Sequence, residues 1–288
     1  MSKQQTRKPK KAGSSGSHQV NWLWGKASVF ETIEAKRWRI YELFVTAEVL
    51  HQHKDLLKPK QKEGVELEIV SETHLNELVK TTDHQGIVAR VSKYPYALMD
   101  QLLQQIGSIP VPIESGDAQI DAQIDAQLSE PQSGSKRLQP LVVLLDRIQD
   151  ATVFAGILRC CEIASVHGVV VGTFCQALVT PQLARTSSGA VNHFPIVQSD
   201  NLTDAARSLK ELGLSLIVTD SQGGNAICDV DLNVPVLLLI GSDTLGIAPE
   251  LLEMCDLHVG IPTLGKLASL PPALNASVIL YEARRQQR

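Results

Sequence analysis

The stretch from Pro235 to Arg288 constrains this chain more than any other. Pro235-Val-Leu-Leu-Leu-Ile240 is an apolar run of the kind that a strand buried on both faces requires. Gly241-Ser-Asp-Thr-Leu-Gly246 follows as a glycine-bracketed turn. Ala248 to Asp256 then reads as a short helix, with Pro249 and Glu250 in a first turn that tolerates both. Leu257-His-Val-Gly-Ile261 is a second apolar piece that runs into Pro262-Thr-Leu-Gly265, and Ala273 to Arg285 has the pattern of a terminal helix. Two strand ends that open into Gly/Pro loops beside a helix predict a ligand pocket at the carboxyl edge of a parallel sheet.

The residues upstream supply the rest of that sheet. Leu141-Val-Val-Leu-Leu145 is a buried strand ending in Asp146. A loop over 147–152, a helix from about Val153 to Ser165, the strand Gly168–Val171, a helix Thr203–Leu212 and the strand Ser215–Thr219 follow. Strands alternating with helices imply a parallel sheet covered on both faces. The turn after the first strand, Asp146-Arg-Ile-Gln-Asp150, lacks G-x-G-x-x-G, which argues against dinucleotide hydride transfer. Gly241 to Gly246 has no following Lys-Ser/Thr and is not a Walker loop.

A smaller α/β module is expected over 18–95. Ala27 to Ala35 has helical spacing, Ile40–Val45 is a compact strand, and a helix follows around Ala47 to Leu57. Val65–Val70 alternates like a strand, Glu72–Val79 resembles a short helix, and His84–Val91 closes the unit as a strand. Trp22, Trp24, Lys26, Lys36, Arg37, Trp38 and Arg39 interleave aromatics with bases, a composition that can stack on and neutralise RNA. The alternative is that the Trp residues are core and the bases solvated. Residues 1–17 form a basic tail expected to be disordered, either a phosphate-grazing arm or a plain solubilising one. Within 96–138, Tyr96 to Gln105 can form a helix that Gly107 to Pro112 breaks; with the imperfect tetrad Ala118-Gln-Ile-Asp, Ala122-Gln-Ile-Asp, Ala126-Gln-Leu-Ser, the stretch as a whole is expected as an extended linker.

Composition narrows the classes. At 288 residues, 43% hydrophobic and only 4% aromatic, the chain suits two domains with aliphatic cores. A net charge of −4 argues against a uniformly basic nucleic-acid binder but leaves room for a local patch. The five Cys form no C-x-x-C pair, so a structural zinc site or disulfide framework is not expected and a reducing, cytoplasmic setting is. Cys160 and Cys161 fall on an apolar helix and read as core rather than nucleophiles. His51, His53, His84, His167 and His193 do not have metal-ligand spacing, and no G-x-S-x-G elbow is present, so neither a metal nor a serine hydrolase is expected. No apolar run approaches the ~20 residues of a membrane span.

Residues 139–288 resemble the SpoU (TrmH-like) branch of the SPOUT RNA 2′-O-ribose methyltransferases. Leu145-Asp146 through Asp150 to Arg159 resembles the family's first segment, L-D-x-x-x-D-P-x-N-x-G-A-I-x-R. Leu239-Ile-Gly241-Ser242-Asp243 resembles its second, and Ile261-Pro262…Ser269-Leu270…Leu280-Tyr281-Glu282 its third. Ser187-Ser-Gly-Ala190 resembles the family's S-x-G-A stretch, and 18–95 resembles the ribosomal-protein-like substrate-binding domain often fused ahead. The resemblance implies an α/β fold whose carboxyl segment forms a deep trefoil knot, an exception to unknotted topology. It further implies a homodimer that binds rRNA or tRNA and holds S-adenosyl-L-methionine by backbone groups at Gly241, Ile261 and Leu270. Arg159 would help activate the ribose hydroxyl, with Asp243 and Ser269 completing the catalytic set.

Departures from the family pattern bear on the chemistry. Pro and Asn of the first segment become Ala151 and Val153, and its Gly-Ala becomes Ala155-Gly156. The second-segment Glu is Asp243, and the third segment's Asn-Val-Ser becomes Pro271-Pro272-Ala273. Val153 cannot hydrogen-bond substrate, and Pro271 lacks an amide donor. Asn275-Ala-Ser277 could be a shifted copy, although the ungapped count from Ser269 to Glu282 matches the family. Asp146 and Asp150 could contact ligand or serve as turn chemistry, and Arg159 could pair with Asp243 or Asp146. Three functions follow: an RNA 2′-O-ribose methyltransferase, the leading one; a catalytically inactive SPOUT-fold RNA binder; or a knotted scaffold.

Overall fold

The computed structural model describes residues 21–109, 138–219, 224–266 and 270–288. The expected tail at 1–17 and most of the expected linker lie outside those residues. The first unit runs β1 (Asn21–Trp24), α1 (Lys26–Ala35), β2 (Ile40–Val45), α2 (Ala47–Gln52), α3 (Lys54–Lys62), β3 (Glu66–Ile69), α4 (Glu72–Val79), β4 (Ile87–Val91). Its sheet has the order β1-β4-β2-β3, with β2 and β3 parallel and the remaining pairs antiparallel. The single helix expected from Ala47 is split in two. His53, at φ −121°, leaves helical geometry and donates its N–H to Val49 O, which closes α2 before α3 begins.

The second unit begins earlier than the sequence suggests. The helix expected over Tyr96–Gln105 forms as α5 (Met99–Gly107), but it buries Leu102 and Ile106 and Ala97 bridges Val197, so 97–107 packs as part of the fold instead of extending as linker. Then come β5 (Leu141–Asp146), α6 (Ala151–Ile163), β6 (Gly168–Gly172), α7 (Pro181–Thr186), β7 (Ile196–Ser199), α8 (Leu202–Glu211), β8 (Ser215–Thr219), β9 (Asn225–Ala226), β10 (Val236–Gly241), α9 (Pro249–Leu252), β11 (Leu257–Gly260) and α10 (Pro272–Gln287). The strands form one parallel sheet of order β7-β6-β5-β10-β8-β11-β9.

The period-two geometry of a strand explains the uninterrupted apolar runs. Val143, Leu145, Val169, Val171, Leu238 and Ile240 pack on one face with Phe154, Ile157, Ile279 and Ala283 of α6 and α10. Their alternating neighbours Val142, Leu144, Val170, Leu237 and Leu239 pack on the other face under α5, α8 and α9. Each face therefore needs a layer of helices, and β5 and β10 carry no polar residue until the sheet's carboxyl edge. At that edge Asp146 and Gly241 interrupt the pattern.

A buried arginine anchors the last helix. Arg284 Nε donates to Ala164 O at 2.7 Å, and its Nη atoms donate to Gln139 O and Ser165 O at 2.9 and 2.7 Å. Helix α6 lies close beside it: a Cβ on Gly156 would stand 3.1 Å from that of Ala273. The two units are joined by one continuous core that runs from Leu23 to Ala283 and by specific polar contacts. Tyr94 donates its hydroxyl to Val191 O at 2.9 Å, and the Tyr96 hydroxyl accepts from Val179 N at 2.9 Å.

Candidate cofactor pocket and substrate cleft

Strands β8, β10 and β11 end together around a cavity of about 340 Å³, lined among others by Gly241, Asp243, Ile247, Leu270, Pro272 and Asn275. Its rim is a loop that folds back on the strand it leaves. Asp146, buried at the end of β5, accepts from Ala248 N at 2.7 Å, and its carbonyl accepts from Ser242 N at 3.2 Å. Ser242 Oγ accepts from Thr244 N and Leu245 N, and Gly246 turns the chain at φ 63°. Gly241 makes the fold-back possible: a Cβ there would lie 2.2 Å from Ile247 Cγ1 and 2.9 Å from Gly246 O. Ile240, Ile247, Leu252 and Leu270 give the lining an aliphatic wall, and Ser242, Asp243 and Asn275 add polar groups to it. Such a pocket suits a ligand with a flat apolar part that is gripped by main chain.

The residues expected there divide. Gly241, Asp243 and Leu270 line the cavity. Ile261 is half-buried against the main core instead, at the foot of the following loop. Ser269 lies outside the described residues. The Pro271-Pro272 substitution leaves the cavity open. Pro271 is exposed and its carbonyl accepts from Leu274 N and Asn275 N, while Pro272 forms part of the wall as the first residue of α10. Asn275, one turn into the helix, brings a carboxamide to the cavity that an ungapped count assigns no role. The period of a helix supplies the missing signal, since Asn275 shares a face with Pro272.

Arg159 sits elsewhere in the same chain. It lines a second cavity, of about 250 Å³, with Glu31, Glu162, Ser187, Ser188 and His193. The two cavities share no lining residue. Helix α6 explains the separation, because the positions around Gly156 and Cys160 are taken up by contact with α10. The ion pairs considered for Arg159 do not form: Asp146 instead pairs with Arg147 at 3.2 Å. Asp150 is the N-cap of α6, accepting from Thr152 N and Val153 N, and those bonds hold its carboxyl below the usual range. Burial pushes the Cys161 thiol up and, more mildly, that of Cys160, which keeps both in the unreactive form.

The basic–aromatic stretch also divides. Trp38 is core, packed edge-on to Tyr94, and Trp22 packs edge-on to Phe44. Arg37 is spent on the joint between units, donating to Asn192 O at 3.1 Å. Lys36 and Arg39 remain at the surface and line a cavity with Tyr41, Lys60 and Arg90. Arg39 and Arg90 both approach the Tyr41 ring, at 5.2 and 5.0 Å, and Glu42 fixes Arg90 through two 2.7 Å bonds.

Comparison with known proteins places these features in context. Residues 140–281 match the SpoU rRNA Methylase family, and residues 22–97 match the family described as RNA 2'-O ribose methyltransferase substrate binding. A Bacillus subtilis protein named for the TrmH family of tRNA/rRNA methyltransferases is 27% identical over 272 residues, 94% of this chain and 98% of the relative. A Synechocystis protein described as a tRNA/rRNA methyltransferase is 25% identical over 93% of this chain, which spans 63% of that relative. The SpoU methyltransferase AviRb from Streptomyces viridochromogenes, solved in complex with AdoMet, superposes with a TM-score of 0.68 at 25% identity, covering 92% of this chain and 89% of that one. An rRNA methyltransferase from Sinorhizobium meliloti shares the fold at a TM-score of 0.69 and 20% identity, over 93% and 87% of the two chains.

Proposed function

The chain belongs to the SpoU methylase family, and from that membership we propose that it is an S-adenosylmethionine-dependent enzyme that methylates ribose 2′-hydroxyls of structured rRNA or tRNA. The observation that carries the reading is the Gly241 cavity, whose fold-back loop only a glycine permits, at the carboxyl edge of the family's sheet. The fit to the cofactor follows from its chemistry. Ile247 and Leu270 offer apolar faces to an adenine, the carbonyl-rich loop 241–246 and the Asn275 carboxamide offer polar partners, and Asp243 of the lining can accept hydroxyl hydrogens. When bound, S-adenosylmethionine supplies an electrophilic methyl group.

RNA is held by the first unit, across the Lys36, Arg39, Tyr41 and Arg90 surface, where guanidinium and ring planes meet phosphate and base. Arg159 stabilises negative charge on the attacking oxygen without leaving its own charged state. Because Arg159 and the cofactor cavity are separate in one chain, two chains complete each site: the Arg159 cleft of one protomer meets the Gly241 cavity of its partner. An apolar surface around Leu138, Val278, Tyr281 and Ile163 supplies the contact. Ile163 is 80% and Tyr281 69% exposed in the single chain. The family's trefoil knot is the reading for the carboxyl segment that joins β11 to α10.

Calorimetry with S-adenosylmethionine, followed by transfer of labelled methyl to total rRNA and tRNA and mapping of the label to ribose, tests the proposal. Label on a base, or no binding at millimolar cofactor, contradicts it. Val153 and Pro271, where the family has Asn, support a second reading, an inactive RNA-binding protein of the same fold. That reading expects RNA affinity with no transfer.

A further inference from the structure

A dyad outside the family's motif segments stands in the Arg159 cavity. His193 follows the short turn Ala190–Asn192, and its Nε2 lies 3.2 Å from Oε2 of Glu31 on α1. The contact crosses from one unit to the other and is held on both sides. Arg37 Nε donates to Asn192 O at 3.1 Å, and Asn192 Nδ2 donates to Thr32 Oγ1 at 3.2 Å. Gly189, at φ 86°, makes the approach possible, because a Cβ there would lie 2.8 Å from Glu31 Cβ.

We propose that His193, oriented by Glu31, is the catalytic base that takes the proton from the attacking ribose hydroxyl. The assignment rests on the methyl-transfer reading above. A guanidinium has no lone pair to offer at neutral pH, so Arg159 cannot be that base. Val153 brings no polar group to assist it. Glu162, also on the wall, is a carboxylate and a weak proton acceptor, whereas a neutral imidazole is matched to the task. Nε2–H donates to the Glu31 carboxylate, which leaves the lone pair on Nδ1. As the hydroxyl oxygen bonds to the methyl carbon, its O–H pair stays on oxygen and the proton passes to Nδ1. The methyl–sulfur bond breaks with its electrons on sulfur, and the imidazolium later releases the proton to water. Glu31, Arg159 and Glu162 are the charged groups that line the cavity with His193, and Ser187 and Ser188 are neutral neighbours.

The test uses the full chain and its RNA substrate, comparing wild type with His193→Gln, Glu31→Gln and His193→Ala, the last with and without added imidazole. Imidazole nitrogen NMR of the wild type runs alongside. His193→Gln lowers kcat by roughly 10²–10⁴-fold, with KM for RNA and the Kd for S-adenosylmethionine unchanged. Free imidazole restores part of the rate to His193→Ala, whereas Glu31→Gln loses less and gains nothing from it. NMR finds the neutral ring carrying its proton on Nε2. A His193→Gln variant with wild-type rate, a His193→Ala variant that imidazole does not rescue, or a neutral ring protonated on Nδ1 overturns the assignment while leaving the methyltransferase reading intact. A wild type that binds cofactor but transfers to no RNA overturns both.

Discussion

A methyl group added at Gly241 would have to occupy space already held by Ile247 and the carbonyl of Gly246, at 2.2 and 2.9 Å. Neither neighbour is the loose end of a flexible chain, so Gly241→Ala pushes the loop 242–248 into the cavity. Calorimetry is expected to show S-adenosylmethionine affinity reduced by at least about tenfold, the equivalent of about 1.4 kcal/mol. His167 presents a different residue-scale effect. Its Nδ1 accepts from Leu141 N at 3.0 Å, and burial, then the nearby Arg284, lower its pKa. The unfolded chain therefore takes up this proton first. The contribution to stability is full above the ordinary imidazole value of about 6.5 and drains as pH falls through the lower folded value. Urea midpoints are expected to drop between pH 7 and pH 5, with a shallower drop in His167→Gln. Single residues were the least legible part of the sequence. Gly241 is marked by its place after an apolar run, but nothing linear connects His193 to Glu31, which meet only because two units pack.

Elements were legible where burial dictates them. The runs Leu141–Leu145, Ser215–Thr219 and Pro235–Ile240 can only be two-sided strands, and they appear within a residue or so of their expected bounds. β7 and α7 were missed because each is short, opens at a proline boundary and takes its stability from neighbours instead of its own pattern. α10 was legible as a helix, but its anchor was not. Arg285 pairs at the surface with Glu282, whose carboxyl Arg285 and Gln286 hold down to about 2. The neighbouring Arg284 is the buried one, its pKa lowered to about 10 by burial and still charged at neutral pH. Arg284→Ala strands the buried carbonyls of Gln139 and Ala164 and removes the part-buried bond to Ser165 O. Chemical denaturation is expected to show a loss of about 3 kcal/mol or more. Arg284→Lys recovers only part of it, since an ammonium lacks the planar fork.

On the proposed pairing, the two cavities that one chain keeps apart meet across a dimer, and the consequence is measurable without knowing the RNA sequence. Arg159→Ala removes the charge from one cavity and leaves the Gly241 cavity intact; Gly241→Ala does the reverse. Each variant alone forms dimers in which every site carries one defect. Equal amounts of the two, exchanged to equilibrium, give mixed dimers as about half of the population under two-fold pairing. Each mixed dimer has one site with both cavities intact and one with both broken. At cofactor levels that leave the Gly241→Ala cavity empty, methyl transfer is therefore expected to recover to about a quarter of the wild-type rate, well above either parent alone. If each chain built its own site, every site in the mixture would still carry a defect and no activity would return. Adding Ile163→Asp, which places a charge on the exposed apolar face beside Tyr281, is expected to prevent both dimer formation in sedimentation and the recovery. Mixed dimers that form but return no activity would assign the completed site to a single chain.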